Sequence, residues 1–340
     1  MWLDLAMSAG MVSMNESGRM DCHETIGEGG MMSDYLVLLA GIAFAALGGE
    51  LFVRGSVGVA SVLRVAPSII GVTVAAFATS SPELSVAVNS GLAGKSQLSL
   101  GDALGSNIVN ISLVLGTVLL ISGIPVRSDV LKRDMPVAIL APLLTGVLLI
   151  DGMIDRLEGL FMFAIFGAWM ASTVKQALKE RAPSNGRVAV TERFLPWVQV
   201  VGGLLLLVAA GRLIVTSTTG IAREFDIDDF IIGATLVAFG TSVPELASTV
   251  LAKIKGHDEI GVGTVLGSNI FNNLFIVAVA AIIRPIRVPL TEVVPAILFG
   301  ILSLLVALPR RGTGWVRRRQ GVLLVLMYSV YVMTLFFISR

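Results

Sequence analysis

Two short stretches of this chain set a proline beside an acid in otherwise apolar surroundings. They are Thr79, Ser80, Ser81, Pro82, Glu83 and Thr241, Ser242, Val243, Pro244, Glu245. Proline lacks a backbone N–H and its ring clashes with the preceding turn, so a helix that carries it kinks and loses hydrogen bonds one turn earlier. The carbonyls released are those of Ala78 and Thr79 in one stretch, and Gly240 and Thr241 in the other. At bilayer depth a freed carbonyl persists only where protein, water or an ion satisfies it. A glutamate in the same place is costly unless it is paired or ion-bound. No lysine, arginine or histidine of these stretches is placed to pair with Glu83 or Glu245. The two glutamates are therefore expected to form the acidic centre of an ion-binding site.

A second group of polar residues lies downstream of each stretch: Ser106, Asn107 and Asn110, then Ser268, Asn269, Asn272 and Asn273. Glycines at 101, 105, 263 and 267 let neighbouring helices approach closely. Carboxylates, hydroxyls, carboxamides and freed carbonyls, with no sulfur or imidazole, make an all-oxygen site suited to hard cations such as Ca²⁺ or Na⁺. Taken singly, a Thr-Ser or Gly-Ser-Asn group reads as interhelical packing and a proline as a kink. The repetition of an unpaired acid is what favours ligation.

Other chemistries are excluded by the residues at hand. Cys22 is the only cysteine and His23 and His257 the only histidines, which removes a disulfide framework and any His/Cys site for zinc or haem. Ser80 or Ser242 as a hydrolytic nucleophile would need a base, and no histidine or lysine is placed to serve. A net charge of +1 over 340 residues describes no basic patch for nucleic acid. No enzyme activity, resident cofactor, nucleic-acid partner or obligatory protein partner is expected.

The elements that must position these residues follow from composition. With 55% apolar and 14% charged residues, and a mean hydropathy of +0.86, the chain has more apolar surface than a water-facing globule can hide. Crossing roughly 30 Å of hydrocarbon takes about 20 apolar helical residues. Such runs occur near 34–53, 66–91, 99–123, 135–150 and 156–175, and again near 195–219, 229–252, 260–283, 289–309 and 320–338. The expected fold is an all-α polytopic membrane protein of ten transmembrane helices.

The two sets of five are copies of one unit. At a constant offset of 162, Gly71 to Val88 matches Gly233 to Val250 at 10 of 18 positions, and Gly101 to Asn110 matches Gly263 to Asn272 at 7 of 10. An odd number of helices per unit inverts the second copy, an arrangement that places substrate near the midplane between repeats. The expected organisation is a polar extension over 1–32, a five-helix repeat over 33–175, a basic cytoplasmic linker over 176–194 and an inverted five-helix repeat over 195–340. The motifs fall at 71–91 and 101–116, and at 233–253 and 263–278. The extension is expected to be disordered, with translation starting at Met31 or Met32.

Assigning alternate loops places 17 of the 25 lysines and arginines on one side, which the positive-inside bias makes cytoplasmic and which leaves both termini outside. A cell inner (plasma) membrane is the expected location, with the bilayer and inorganic cations as partners. Glu50 follows Gly48 and Gly49, and its repeat counterpart is Arg212, so an interface position or a pair with Arg212 is expected. Asp226, Asp228 and Asp229 are expected to form a solvated outer cap that can attract cations.

At these motifs the sequence resembles the sodium/calcium exchanger family of the cation/calcium exchanger superfamily, in particular its bacterial calcium/sodium antiporters. The family's signature is two repeats, each with a Gly-Thr-Ser-x-Pro-Glu helix followed by a Gly-Ser-Asn helix. The resemblance implies that Glu83 and Glu245 hold Ca²⁺ with the carbonyls of Thr79 and Thr241. It implies flanking Na⁺ sites from Ser80, Ser106, Ser242, Ser268 and the carbonyls of Ala76 and Ala238, with Asn110 and Asn272 completing the middle. It also implies alternating-access exchange of Ca²⁺ for Na⁺, with a Ca²⁺/H⁺ exchanger as the alternative. Three positions depart from the pattern: Ala78 replaces a glycine, Ser81 adds a hydroxyl, and Asn272 stands where many relatives have aspartate. The last change leaves two acids at the expected site, not three.

Overall fold

A computed structural model describes residues 13–14, 20–21, 31–92, 96–179, 190–224, 238–309 and 314–338. Within them, helix occupies some part of every segment expected to span. Four helices are long and apolar enough to cross a membrane: Leu39–Leu63, Ser96–Ile121, Arg156–Lys179 and Asp258–Ile283. A fifth span forms if Pro67–Thr79 and Ser81–Val88, bent by 43° at their junction, are counted as one. Phe194–Ala210 and Val293–Val306 are shorter apolar helices. The start of the segment expected at 229–252, most of the central linker and the aspartates of the outer cap lie outside the described residues. So does the N-terminal extension, apart from an antiparallel pair of Ser13–Met14 with Met20–Asp21.

The first helix, Met31–Leu63, runs 33 residues and continues ten residues past the run expected at 34–53. Arg54 therefore sits inside the helix rather than in a loop. This helix packs along its counterpart, Val190–Glu224. The approach is close enough that a Cβ placed on Gly203 would lie 2.5 Å from the backbone nitrogen of Phe52.

Burial separates central from peripheral helices. In Ser96–Ile121 and Asp258–Ile283 78% of the apolar window is buried, against 28% in Arg156–Lys179, which turns Leu157, Leu160 and Phe161 outward. Large exposed apolar side chains are what a lipid-facing surface requires and a water-facing one avoids. The two central helices carry the Gly-Ser-Asn motifs. Each packs against the proline-bearing element of the other half: Asp258–Ile270 against Gly71–Ala75 and Ala76–Thr79, and Ser96–Ile108 against Ala238–Thr241. Their buried residues share one core with both halves, for example Val114, Leu266, Ile270 and Ile297.

Two minute sheets report how the halves are related. Ile124–Pro125 pairs with Trp315–Val316, and Met153–Ile154 pairs with Ile286–Arg287, both antiparallel. The 162-residue offset converts the first sheet into the second. Ile124–Pro125 precedes the helix Met135–Leu148 and Met153–Ile154 follows it; the equivalent strands bracket Leu290–Val306 in the same order. Because the start of one bracketed helix is tied to the end of the other, these equivalent helices run in opposite directions.

Candidate cation site between the repeats

Each proline motif breaks its helix in the same way. Ser80 and Ser242 occupy the break with φ/ψ of −82°/14° and −85°/4°. Below the break, Ser80 N bonds Ala76 O at 3.0 Å and Ser242 N bonds Ala238 O at 3.2 Å. Above it, the ladder resumes with Leu84 N to Ser80 O at 3.1 Å and Leu246 N to Ser242 O at 3.0 Å. Pro82 and Pro244 have no N–H for the carbonyls of Ala78 and Gly240, and Glu83 and Glu245 occupy the first turn of the upper helix in each half.

Both glutamates are fully buried, but their surroundings differ. Glu245 Oε1 accepts hydrogen bonds from Ser80 Oγ at 3.1 Å and from Ser268 Oγ at 3.0 Å, the first of them across the repeats. Its Oε2 has no partner among the described residues. Neither oxygen of Glu83 has a hydrogen-bond partner among the described residues, nor has Ser242 Oγ. The hydroxyls that would clothe Glu83 by symmetry are those of Ser242 and Ser106, and Ser106 Oγ lies instead 3.3 Å from Thr241 Oγ1.

The Gly-Ser-Asn helices change pitch after the motif. Val109–Leu115 and Phe271–Ile276 are π-helical, and they are equivalent under the repeat offset. Such widened turns are frequent at functional sites because the extra residue re-aims the side chains around it. Asn110 and Asn272 lie within them, both fully buried, with the carboxamide oxygen and nitrogen of each unpartnered among the described residues. Buried polar groups in folded proteins are rarely left without a partner. Here unpartnered oxygens of Glu83, Glu245, Asn110 and Asn272 occur together with serine hydroxyls on the interlocking elements, a donor set that suits a hard cation.

Other expected residues are engaged locally. Thr79 Oγ1 turns back to Ala75 O at 3.0 Å and Ala76 O at 3.4 Å, and Thr241 Oγ1 reaches Ala238 O at 3.2 Å. The carbonyls of Ala76 and Ala238 thus already accept hydrogen bonds within their helices, and only a remaining lone pair could serve a cation. Among glycines, Gly267 makes the close approach expected of it: a Cβ there would meet Val72 O at 2.5 Å. At Gly101 a Cβ would meet nothing within 4 Å among the described residues. Glu50 does sit at an interface, and among the described residues its partners are Arg54, at 2.5 Å, and Lys255, which follows Val243–Ile254. The side chain of Arg212 lies outside the described residues.

Two features went unread in the sequence. Asp102, 3% exposed, accepts a hydrogen bond from Thr241 Oγ1 at 3.3 Å, and the signal was an acid one helical turn before Ser106. Asn269 Nδ2 bonds the backbone oxygen of Asn107 at 3.1 Å, joining the two motif helices directly.

Comparison with known proteins gives the same architecture. The sequence profile of the family described as sodium/calcium exchanger protein matches twice, over residues 33–175 and 195–337. The inner membrane protein YrbG of Escherichia coli is 33% identical over 80% of this chain and 87% of its own. The sodium/calcium exchanger MaX1 of Methanosarcina acetivorans is 28% identical over 90% of this chain and 99% of its own. The solved structure of the sodium-calcium exchanger NCX_Mj soaked with 10 mM Na⁺ superposes with a TM-score of 0.78 at 29% identity, covering 90% of this chain and all of that one.

Proposed function

The chain belongs to the sodium/calcium exchanger family, a multi-pass membrane transporter with two family repeats and no enzyme, and from this we propose that it exchanges Ca²⁺ for Na⁺ by alternating access. The observation that carries the proposal is the pair of buried glutamates, Glu83 and Glu245, each on a broken helix and each with at least one oxygen that no group among the described residues satisfies. Two carboxylates neutralise one Ca²⁺. Monovalent cations can take the same oxygens in its place, so the two substrates compete for one site and the gradient of one drives the other without ATP.

In this reading Glu83 and Glu245 are the Ca²⁺ ligands, helped by the carbonyls of Thr79 and Thr241. Ser80, Ser106, Ser242, Ser268, Ala76 O and Ala238 O flank it as Na⁺ ligands, with Asn110 and Asn272 between. The cross-repeat hydrogen bond from Ser80 to Glu245 supports a site assembled from both halves, one that can open when the halves shift. The crosswise strand pairs support ten spans in two inverted sets of five. We place the protein in the cell inner membrane with both termini outside, on the bias of lysine and arginine between alternate loops.

The test is ⁴⁵Ca²⁺ uptake into proteoliposomes under an imposed Na⁺ gradient, with an H⁺ gradient run in parallel. Na⁺-driven uptake that vanishes in Glu83→Gln and in Glu245→Gln is the expected result. Uptake driven by protons alone replaces Na⁺ as the coupling ion, and no uptake under either gradient defeats the exchange reading.

A further inference from the structure

Asp102 stands on Ser96–Ile108, a buried helix of the first repeat, one turn before Ser106. No basic side chain forms an ion pair with it among the described residues. Its Oδ2 has no partner, and its Oδ1 depends on one hydroxyl, that of Thr241. That hydroxyl is in demand, because Ala238 O lies 3.2 Å from it and Ser106 Oγ 3.3 Å. A threonine has a single hydroxyl proton, so it can donate to only one acceptor at a time. A carboxylate with a purely structural role in an enclosed site would be met by several donors. Asp102 is met by a fraction of one.

The second repeat offers a control built into the fold. The counterpart of Asp102 is Thr264, whose hydroxyl is tied back to Ile260 O at 2.9 Å within its own helix. The glutamates come as a pair, whereas this acid occurs in one half only. It occurs, moreover, in a chain whose other expected acid position is Asn272.

We propose that Asp102 is a third carboxylate of the transport site, adding a cation position at the flank where Ser106 meets Thr241. The proposal rests on the exchanger reading and deepens it. No three acidic, histidine or cysteine side chains among the described residues are grouped closely enough to hold one metal ion. Asp102, Ser106 and Thr241 would form a cation position that is filled when monovalent ions, rather than Ca²⁺, occupy the site. A hard monovalent cation fits this position, since one carboxylate and two hydroxyls supply a single charge. With three carboxylates to neutralise, three monovalent charges replace each Ca²⁺ and the exchange moves net charge across the membrane.

The experiment measures charge moved per Ca²⁺ in proteoliposomes, from the membrane potential at which driven Ca²⁺ flux reverses. Wild type is expected to exchange three monovalent charges per Ca²⁺ and Asp102→Asn two. The half-saturating concentration of the driving ion should rise about tenfold or more in Asp102→Asn, as loss of one charged ligand implies. Thr264→Ser, at the counterpart position, should match wild type in both measurements. A wild type that exchanges two charges, or an Asp102→Asn protein with wild-type charge count and half-saturation, overturns the proposal. If Asp102→Asn does not reconstitute, Asp102→Glu decides: it should keep three charges with an altered half-saturation, and an unaltered one overturns the proposal. Absence of Ca²⁺/Ca²⁺ counterflow in wild type would instead defeat the exchanger reading itself.

Discussion

Asn269 donates from Nδ2 to the backbone oxygen of Asn107 at 3.1 Å, and the two residues are each other's counterparts under the 162-residue offset. A contact between equivalent residues can lie only at the axis that relates the halves, so this bond marks where that axis passes. It is not symmetric, because Asn107 contributes its backbone while both polar atoms of its own side chain remain unpartnered.

That asymmetry gives unequal mutants. Asn269→Ala leaves a buried carbonyl without its donor and should lower unfolding stability by about 1–3 kcal/mol. Asn107→Ala removes polar atoms that bond nothing among the described residues and should cost less than half as much. Denaturant unfolding of the detergent-solubilised protein, without added divalent cation, measures both; equal losses would place the axis contact elsewhere.

Glu83 and Glu245 should differ in the same sense. Two serine hydroxyls donate to Glu245, while neither carboxylate oxygen of Glu83 accepts a hydrogen bond among the described residues. Neutralising a buried, unsupported carboxylate relieves its desolvation. Glu83→Gln should therefore melt at a higher temperature than Glu245→Gln when no cation is present. Ca²⁺ should raise the melting temperature of wild type by binding the folded state, and both variants should lose that shift. Equal melting temperatures, or a Ca²⁺ shift retained in either variant, would contradict the assignment.

The features legible in the sequence were those stamped twice. Glu83 and Glu245, the prolines, the Gly-Ser-Asn groups and the helical segments repeat at one offset, and repetition separates a site from packing. What repetition hides is difference. Asp102 was passed over because Thr264 is its counterpart, and a search for matched positions discards such a residue. The unequal hydrogen bonding of the two glutamates was invisible for the same reason, since the motifs around them are nearly identical. Glu50 was legible as an interface residue, but its partner Lys255 is brought to it by the packing of Val243–Ile254 on the first helix, which no offset predicts. The π-helical turns around Asn110 and Asn272 carry no residue signature at all.

Gly202 and Gly203 are adjacent in the chain and should respond oppositely to the same substitution. A Cβ at Gly203 would lie 2.5 Å from Phe52 N and 2.7 Å from Gly48 O, both backbone atoms that cannot rotate away. Gly203→Ala must therefore push the first helix off its counterpart, at a cost of about 1–3 kcal/mol as for other overpacked contacts. At Gly202 a Cβ would meet nothing within 4 Å among the described residues, and alanine favours helix over glycine by about 1 kcal/mol. Gly202→Ala should keep wild-type stability or gain slightly. Thermal unfolding and exchange assays on the two single variants are sufficient. The expectation is that Gly203→Ala loses both stability and transport while Gly202→Ala keeps both, because the first helix and Val190–Glu224 pack backbone to backbone along this line. Equal behaviour of the two would mean that the close crossing at Gly203 is not what joins them.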